Sequence, residues 1–181
     1  MKKILILQFV ILALISCKKD DNSTKNSSTN TTTANYSFSF KLDGVPYSWS
    51  GNHLANGPST GQATWSGNSI ALQKCTNSVC DVSIACSIPN LGINTYSFPV
   101  NSLSQFFTLT LNPNNQLQQY GTFGGGTLQM TVTSIDPNNL TSNPSSTSVG
   151  KIKGVFAGTI TDINGGFHTI SNGVFEAANC N

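Results

Sequence analysis

The sequence predicts an all-β domain: an antiparallel β-sandwich of about nine or ten short strands, with a closed up-and-down β-barrel as the alternative that fits the same pattern. Three observations predict it. Apolar residues recur every second position over most of residues 36–176, and no apolar stripe of helical period runs for three turns. Clusters of Gly, Pro, Asn, Asp and Ser divide these runs at short intervals. Only 9% of residues are charged, so solubility rests on Asn, Ser, Thr and Gln, a polar but uncharged surface that suits an exported β protein.

The elements follow in order. Tyr36, Phe38, Phe40 and Leu42 alternate with Ser37, Ser39 and Lys41, which is the pattern of a half-buried strand. Asp43-Gly44 makes a hairpin turn, because both central positions of the favoured two-residue turn need positive φ. Val45, Tyr47 and Trp49 lie on one face of the returning strand, and Pro46, which lacks an N–H, marks it as an edge. Residues 51–62 read as a loop. Strands are then expected at 63–66, 69–75, 80–88, 94–99, 105–111, 120–123 and 127–135, with Gly124-Gly125-Gly126 as a bend or bulge. After a polar loop at 136–148, residues 150–162 and 166–176 form a hairpin about Asp162-Ile163-Asn164-Gly165-Gly166.

The first 35 residues have a different character. Lys2 and Lys3 precede an apolar run at 4–16, too short for a spanning helix, which needs about 20 apolar residues. The run ends in small residues and then turns polar, as a cleaved export signal does. The order Leu14-Ile15-Ser16-Cys17 resembles the lipobox of bacterial lipoproteins. That resemblance implies cleavage before Cys17, diacylglycerol on its sulfur and usually an acyl chain on its new amino group; an ordinary secretory signal cut near Ser16 is the alternative. Two or three acyl chains anchor a protein stably, whereas one binds only marginally. The partner is thus a membrane, reached through lipid. Lys19-Asp20-Asp21 resembles the signal that sends lipoproteins of Bacteroidota to the outer face of the outer membrane; the plainer reading is a solvated charge cluster. Residues 18–35 contain no large apolar residue and read as a tether, roughly 25 Å long on average and about 60 Å at full stretch. The expected organisation is therefore a signal peptide at 1–16, a lipidated cysteine and tether at 17–35, and one β domain at 36–181.

Charge narrows the function. Without Lys2 and Lys3, seven Lys face seven acidic residues, and the chain has no Arg. A neutral, Arg-free domain lacks the basic face that nucleic-acid binding requires. Four cysteines follow the anchor: Cys75, Cys80, Cys86 and Cys180. An exported chain with an even count favours two disulfides. Cys75 and Cys80 bracket a short turn, so Cys75–Cys80 with Cys86–Cys180 is the expected pairing. Direct facing of Cys75 and Cys80 would put Ile70 and Leu72 on the face opposite Val82 and Ile84, which a bulge or one-residue slip would repair. The spacing is poor for zinc, and no metal or cofactor is expected.

Catalytic patterns are weak. Gly57-Pro58-Ser59-Thr60-Gly61 matches the nucleophile motif of serine hydrolases, but no helix follows it as that strained turn requires. His53 and His168 are the two histidines. Asp43, Asp136 and Asp162 sit at turns, where Asp bonds its own backbone, and Asp162-x-Asn164-Gly165 lacks the closing Glu of a calcium loop. Tyr47, Trp49, Trp65 and Tyr120, beside Asn and Gln, are the candidate ligand contacts, suited to the apolar faces and hydroxyls of a carbohydrate or to a protein partner.

The stretch Ser39-Phe40-Lys41-Leu42-Asp43-Gly44-Val45-Pro46-Tyr47-Ser48-Trp49 resembles the opening of small Bacteroidota lipoproteins. Gly92-Ile93-Asn94-Thr95-Tyr96 resembles their middle strand. The segments Gly154-Val155-Phe156-Ala157-Gly158-Thr159 and Ile170-Ser171-Asn172-Gly173-Val174-Phe175 resemble their close. Those families have no assigned function, so the resemblance implies fold and location and no catalytic residue. The expected function is a lipid-anchored, surface-facing binding or accessory envelope module and not an enzyme. A secreted glycan- or ester-directed hydrolase and a carrier of a small apolar ligand are the alternatives.

Overall fold

Eleven strands are present among the residues that the computed structural model describes, namely 36–51, 61–76, 79–98, 104–113, 116–136 and 151–179. They are β1 (Tyr36–Leu42), β2 (Val45–Gly51), β3 (Gly61–Ser66), β4 (Ser69–Thr76), β5 (Val79–Ser87), β6 (Thr95–Ser97), β7 (Phe106–Leu111), β8 (Gln118–Gly121), β9 (Gln129–Ile135), β10 (Lys151–Asp162) and β11 (Phe167–Asn179). The all-β expectation holds. Cys17, Lys19, Asp20, Asp21, His53, Ser59 and Cys180 lie outside the described residues.

Seven strands close into a barrel, in the order β3-β4-β5-β7-β8-β10-β11. This is the barrel alternative to the expected sandwich. The ring follows the chain, with β6 and β9 left out of it. Neighbours from β3 to β11 are antiparallel. Seven is odd, so the first and last strands run the same way, and the closing β11–β3 pair is parallel. That closure is short: Ala178 pairs with Thr64 and Asn179 with Trp65. The β10–β8 contact is equally short, joining Thr161 to Gly121 and Asp162 to Tyr120. The remaining length of β11 and β10 carries the extra strands, β1 and β2 on β11, and β9 and β6 on β10. β2 is an edge, as Pro46 predicts.

The Asp43-Gly44 turn has positive φ at both residues, 49° and 84°, the hairpin geometry read from the sequence. The bulge expected at the Cys75–Cys80 hairpin is also present. β4 and β5 shift register between Lys74 and Cys75, which leaves Asp81 as the extra residue, so Ile70 and Leu72 pair with Cys86 and Ile84 on the core face while Cys75 still meets Cys80. Expected strand 120–123 sits two residues earlier, at Gln118–Gly121, because Thr122–Gly124 tightens into a 3-10 turn that ends on Gly125 at φ 117°.

The interior is filled by side chains. Phe156 lies at its centre, with ring centroids 6.0 Å from Phe40, 5.8 Å from Phe107 and 6.3 Å from Phe175. Each such buried ring contributes roughly 1.5–3 kcal/mol through apolar burial.

Candidate functional site

The alternating ring places the β4–β5, β7–β8 and β10–β11 turns at one end of the barrel, and the β1–β2 turn joins them there. Asp43 N donates to Thr169 O at 2.9 Å, and Thr169 N donates to Asp43 Oδ1 at 2.8 Å, locking the β1–β2 turn onto the start of β11. Tyr36, where the described chain begins, pairs with Gly51 at the opposite end.

At the mouth of the hairpin end, His168 stands between two carboxylates. Its Nδ1 lies 2.7 Å from Asp43 Oδ2, and its Nε2 lies 3.4 Å from Asp162 Oδ2. Tyr120 meets the imidazole edge-on, 4.9 Å between centroids. Asp162 Oδ1 accepts from Asn164 N and from Gly166 N, both at 2.8 Å. Asp43 and Asp162 are therefore turn-forming residues, as their sequence context says, and each turns its second oxygen to one histidine.

A bulge makes this possible. Between Ser39 and Lys41 on β1, and between Phe156 and Gly158 on β10, β11 carries one residue too many. Asn172 sits there at φ 55°, a left-handed conformation that Asn tolerates. Below the bulge the odd-numbered Gly173, Phe175 and Ala177 are buried, with Ala178 also buried where β11 meets β3; above it the inward positions are even-numbered, with Ile170 buried and His168 half-buried. Without the extra residue His168 would face outward.

The electrostatics follow from these contacts. Hydrogen bonding to Asp43, then to Asp162, raises the His168 pKa above its ordinary value against a smaller opposing effect of burial. The Thr169 N–H, followed by His168, holds Asp43 below the usual carboxylate range. The Gly166 N–H does the same first for Asp162, with Asn164 and His168 adding to it. Ionised carboxylates only accept hydrogen bonds, so the cluster favours imidazolium, with N–H on both nitrogens.

The four aromatic candidates divide. Tyr120 and Trp65 are buried, which corrects their reading as open ligand contacts: Trp65 Nε1 donates to Gly67 O at 2.8 Å, and Tyr120 OH donates to Gln118 Oε1 at 2.9 Å. Burial pushes the Tyr120 phenol up. Tyr47 stacks on Phe40 at 5.2 Å and Trp49 on Phe38 at 6.1 Å, each half-buried against the core. Both owe this to their register: Tyr47 pairs with Phe40 and Trp49 with Phe38. The exposed apolar residues are others. Val45, Val79, Leu117, Ile163 and Phe167, five of the eight large exposed apolar side chains among the described residues, belong to the four hairpins of the mouth end.

Cys75 and Cys80 form the expected disulfide. Cys86 is instead a free, buried thiol, its Sγ 3.9 Å from Ile70 O, with burial raising its pKa to about 12. Cys180, its expected partner, lies outside the described residues. No family model matches this chain, and no curated protein or solved structure is significantly similar to it.

Proposed function

We propose that this protein is a lipid-anchored, surface-facing binding or accessory module of the outer membrane, of the small Bacteroidota lipoprotein type, held at Cys17 and presenting the hairpin end of its barrel outward. The observation that carries this reading is the placement of Tyr36. The segment from Cys17 joins the domain at the end opposite the four hairpins, and five of the eight large exposed apolar side chains among the described residues lie on those hairpins. Exposed apolar residues gathered at one end are the ordinary mark of an interaction surface.

The convergence of Asp43 and Asp162 on His168 is what a hydrolase would also require, and it is the strongest support for that alternative. The details favour binding. A general base needs a free nitrogen lone pair within reach of the proton it removes. Here both nitrogens face carboxylates, and the hydroxyl of the adjacent Tyr120 is committed to Gln118. The packed rings around Phe156 likewise favour a surface site over an internal carrier lumen.

Replacing Cys17 tests the anchor. Labelled palmitate is expected to enter the wild-type protein and not Cys17→Ala, and the variant should leave the membrane pellet. Retention of the variant in the membrane fraction contradicts the proposal.

A further inference from the structure

Three of the exposed apolar side chains at the hairpin end flank the charged triad. Val45 follows Asp43 by two positions, Ile163 follows Asp162 directly, and Phe167 directly precedes His168. The contacts that join Asp43, Asp162 and His168 therefore also fix where these three apolar side chains stand relative to one another. One ring carries both contacts, and they are unequal: Nδ1 is 2.7 Å from Asp43 Oδ2, and Nε2 is 3.4 Å from Asp162 Oδ2.

We infer that His168 is a proton switch for the hairpin-end surface: its imidazolium clamps the β10–β11 turn to the β1–β2 turn, and loss of the Nε2 proton releases Asp162 and the turn that carries Ile163. The inference rests on the reading of this end as an interaction surface and adds its regulation. An imidazolium has two N–H donors, whereas a neutral imidazole has one N–H and one lone pair. The shorter, charge-assisted bond to Asp43 keeps the remaining proton. Nε2 then turns its lone pair toward Asp162 Oδ2, acceptor against acceptor, and the departed proton passes to solvent. Water reaches both groups, whose side chains are 25% and 26% exposed. Asp43 stays in place in either form, because Thr169 N donates to its Oδ1. The Asp162 turn is the part that can move. The hydrogen bonds that Asp162 accepts from Asn164 N, Gly165 N and Gly166 N run within the turn. Gly165, at φ 87°, stands in open space at its tip. The other groups near the ring are engaged elsewhere: Tyr120 of β8 commits its hydroxyl to Gln118, Tyr47 of β2 acts on Tyr120, and Lys41 of β1 is exposed on the face opposite Phe40 and Leu42. Both carboxylates favour the charged ring, so release falls on the alkaline side of its ordinary value of 6.5. A partner bound across Val45, Ile163 and Phe167 is therefore held more tightly on the acid side of the release than on the alkaline side.

The test is NMR of the full-length chain, purified in detergent and titrated from about pH 5 to about pH 9, reading the imidazole ¹⁵N shifts and the methyl order parameters together. The order parameter of the Ile163 methyl groups should fall as His168 Nε2 loses its proton, with one shared midpoint, while that of Val79 on the disulfide hairpin stays constant. His168→Gln does not titrate and should lose the pH response. Asp162→Asn keeps an oxygen for Asn164 and Gly166, and its amide N–H can donate to the neutral Nε2. The turn in that variant should therefore stay ordered over the whole range, and the His168 midpoint should move down. Ile163 that is equally ordered at both ends of the titration while the ring titrates overturns the inference. So does alkaline loosening that persists in both variants. None of these readouts uses a partner or a cell surface, so their failure is distinct from failure of the surface-facing reading, which protease shaving of cells tests.

Discussion

At His168, two hairpins whose contacting residues are 125 positions apart in sequence are tied through one imidazole. The groups that face it titrate in opposite directions, which gives the tie a defined pH range. Its raised pKa means that the stabilisation from His168 is fully present below its ordinary value of about 6.5 and is lost as pH rises through the higher folded value. The lowered values of Asp43 and Asp162 mean that their share is present above about pH 4 and is lost as pH falls through the folded values. The difference in melting temperature between wild type and His168→Gln should be greatest near pH 5 and should shrink on the alkaline side. A difference that is the same at pH 5 and pH 9 would show that His168 acts by packing alone. This site was not legible in the sequence. Asp43 and Asp162 each carry a sufficient local explanation as turn residues, and nothing local to His168 reveals the extra residue at Asn172 that turns it inward.

At the scale of elements, the disulfide hairpin shows what sequence reasoning can reach. The spacing of Cys75 and Cys80 conflicts with the alternation of Ile70, Leu72, Val82 and Ile84, and one extra residue resolves the conflict; Asp81 is that residue. Both demands, the covalent link and the buried face, are met by that one extra residue, whose backbone carbonyl accepts from Asn112 N at 2.9 Å. A loop this short contributes about 2 kcal/mol by the loop-closure estimate. Replacing both cysteines by serine should lower unfolding free energy by about that amount in urea denaturation, while the β4–β5 register, fixed by Ile70, Leu72 and Ile84, should persist. A loss several times larger would mean that the disulfide sets the register. The turn at Asp43-Gly44 and the edge at Pro46 were legible for a similar reason, since each depends on the backbone chemistry of one or two residues. Trp65 was misleading because a large aromatic beside polar neighbours has the same sequence context whether it stacks on a ligand or fills a core.

For the whole molecule, the choice between sandwich and barrel turns on four residue pairs. Thr161 with Gly121, Asp162 with Tyr120, Ala178 with Thr64 and Asn179 with Trp65 close the ring. These contacts join strands distant in the chain and carry no periodic signature, so the strands could be read from sequence and their closure could not. Antiparallel alternation sets the orientation: the β4–β5, β7–β8, β10–β11 and β1–β2 turns lie at one end, and Tyr36 lies at the other with the β3–β4 turn. Combined with the proposed anchor at Cys17, this directs the exposed residues Val45, Val79, Leu117, Ile163 and Phe167 away from the membrane. The most direct measurement of that central proposal is protease shaving of intact cells, with Cys17→Ala as the control. Wild-type protein should be degraded on intact cells while periplasmic markers survive, and Cys17→Ala should be missing from the shaved surface. Protein that resists protease until the cells are lysed would contradict the outward-facing anchor.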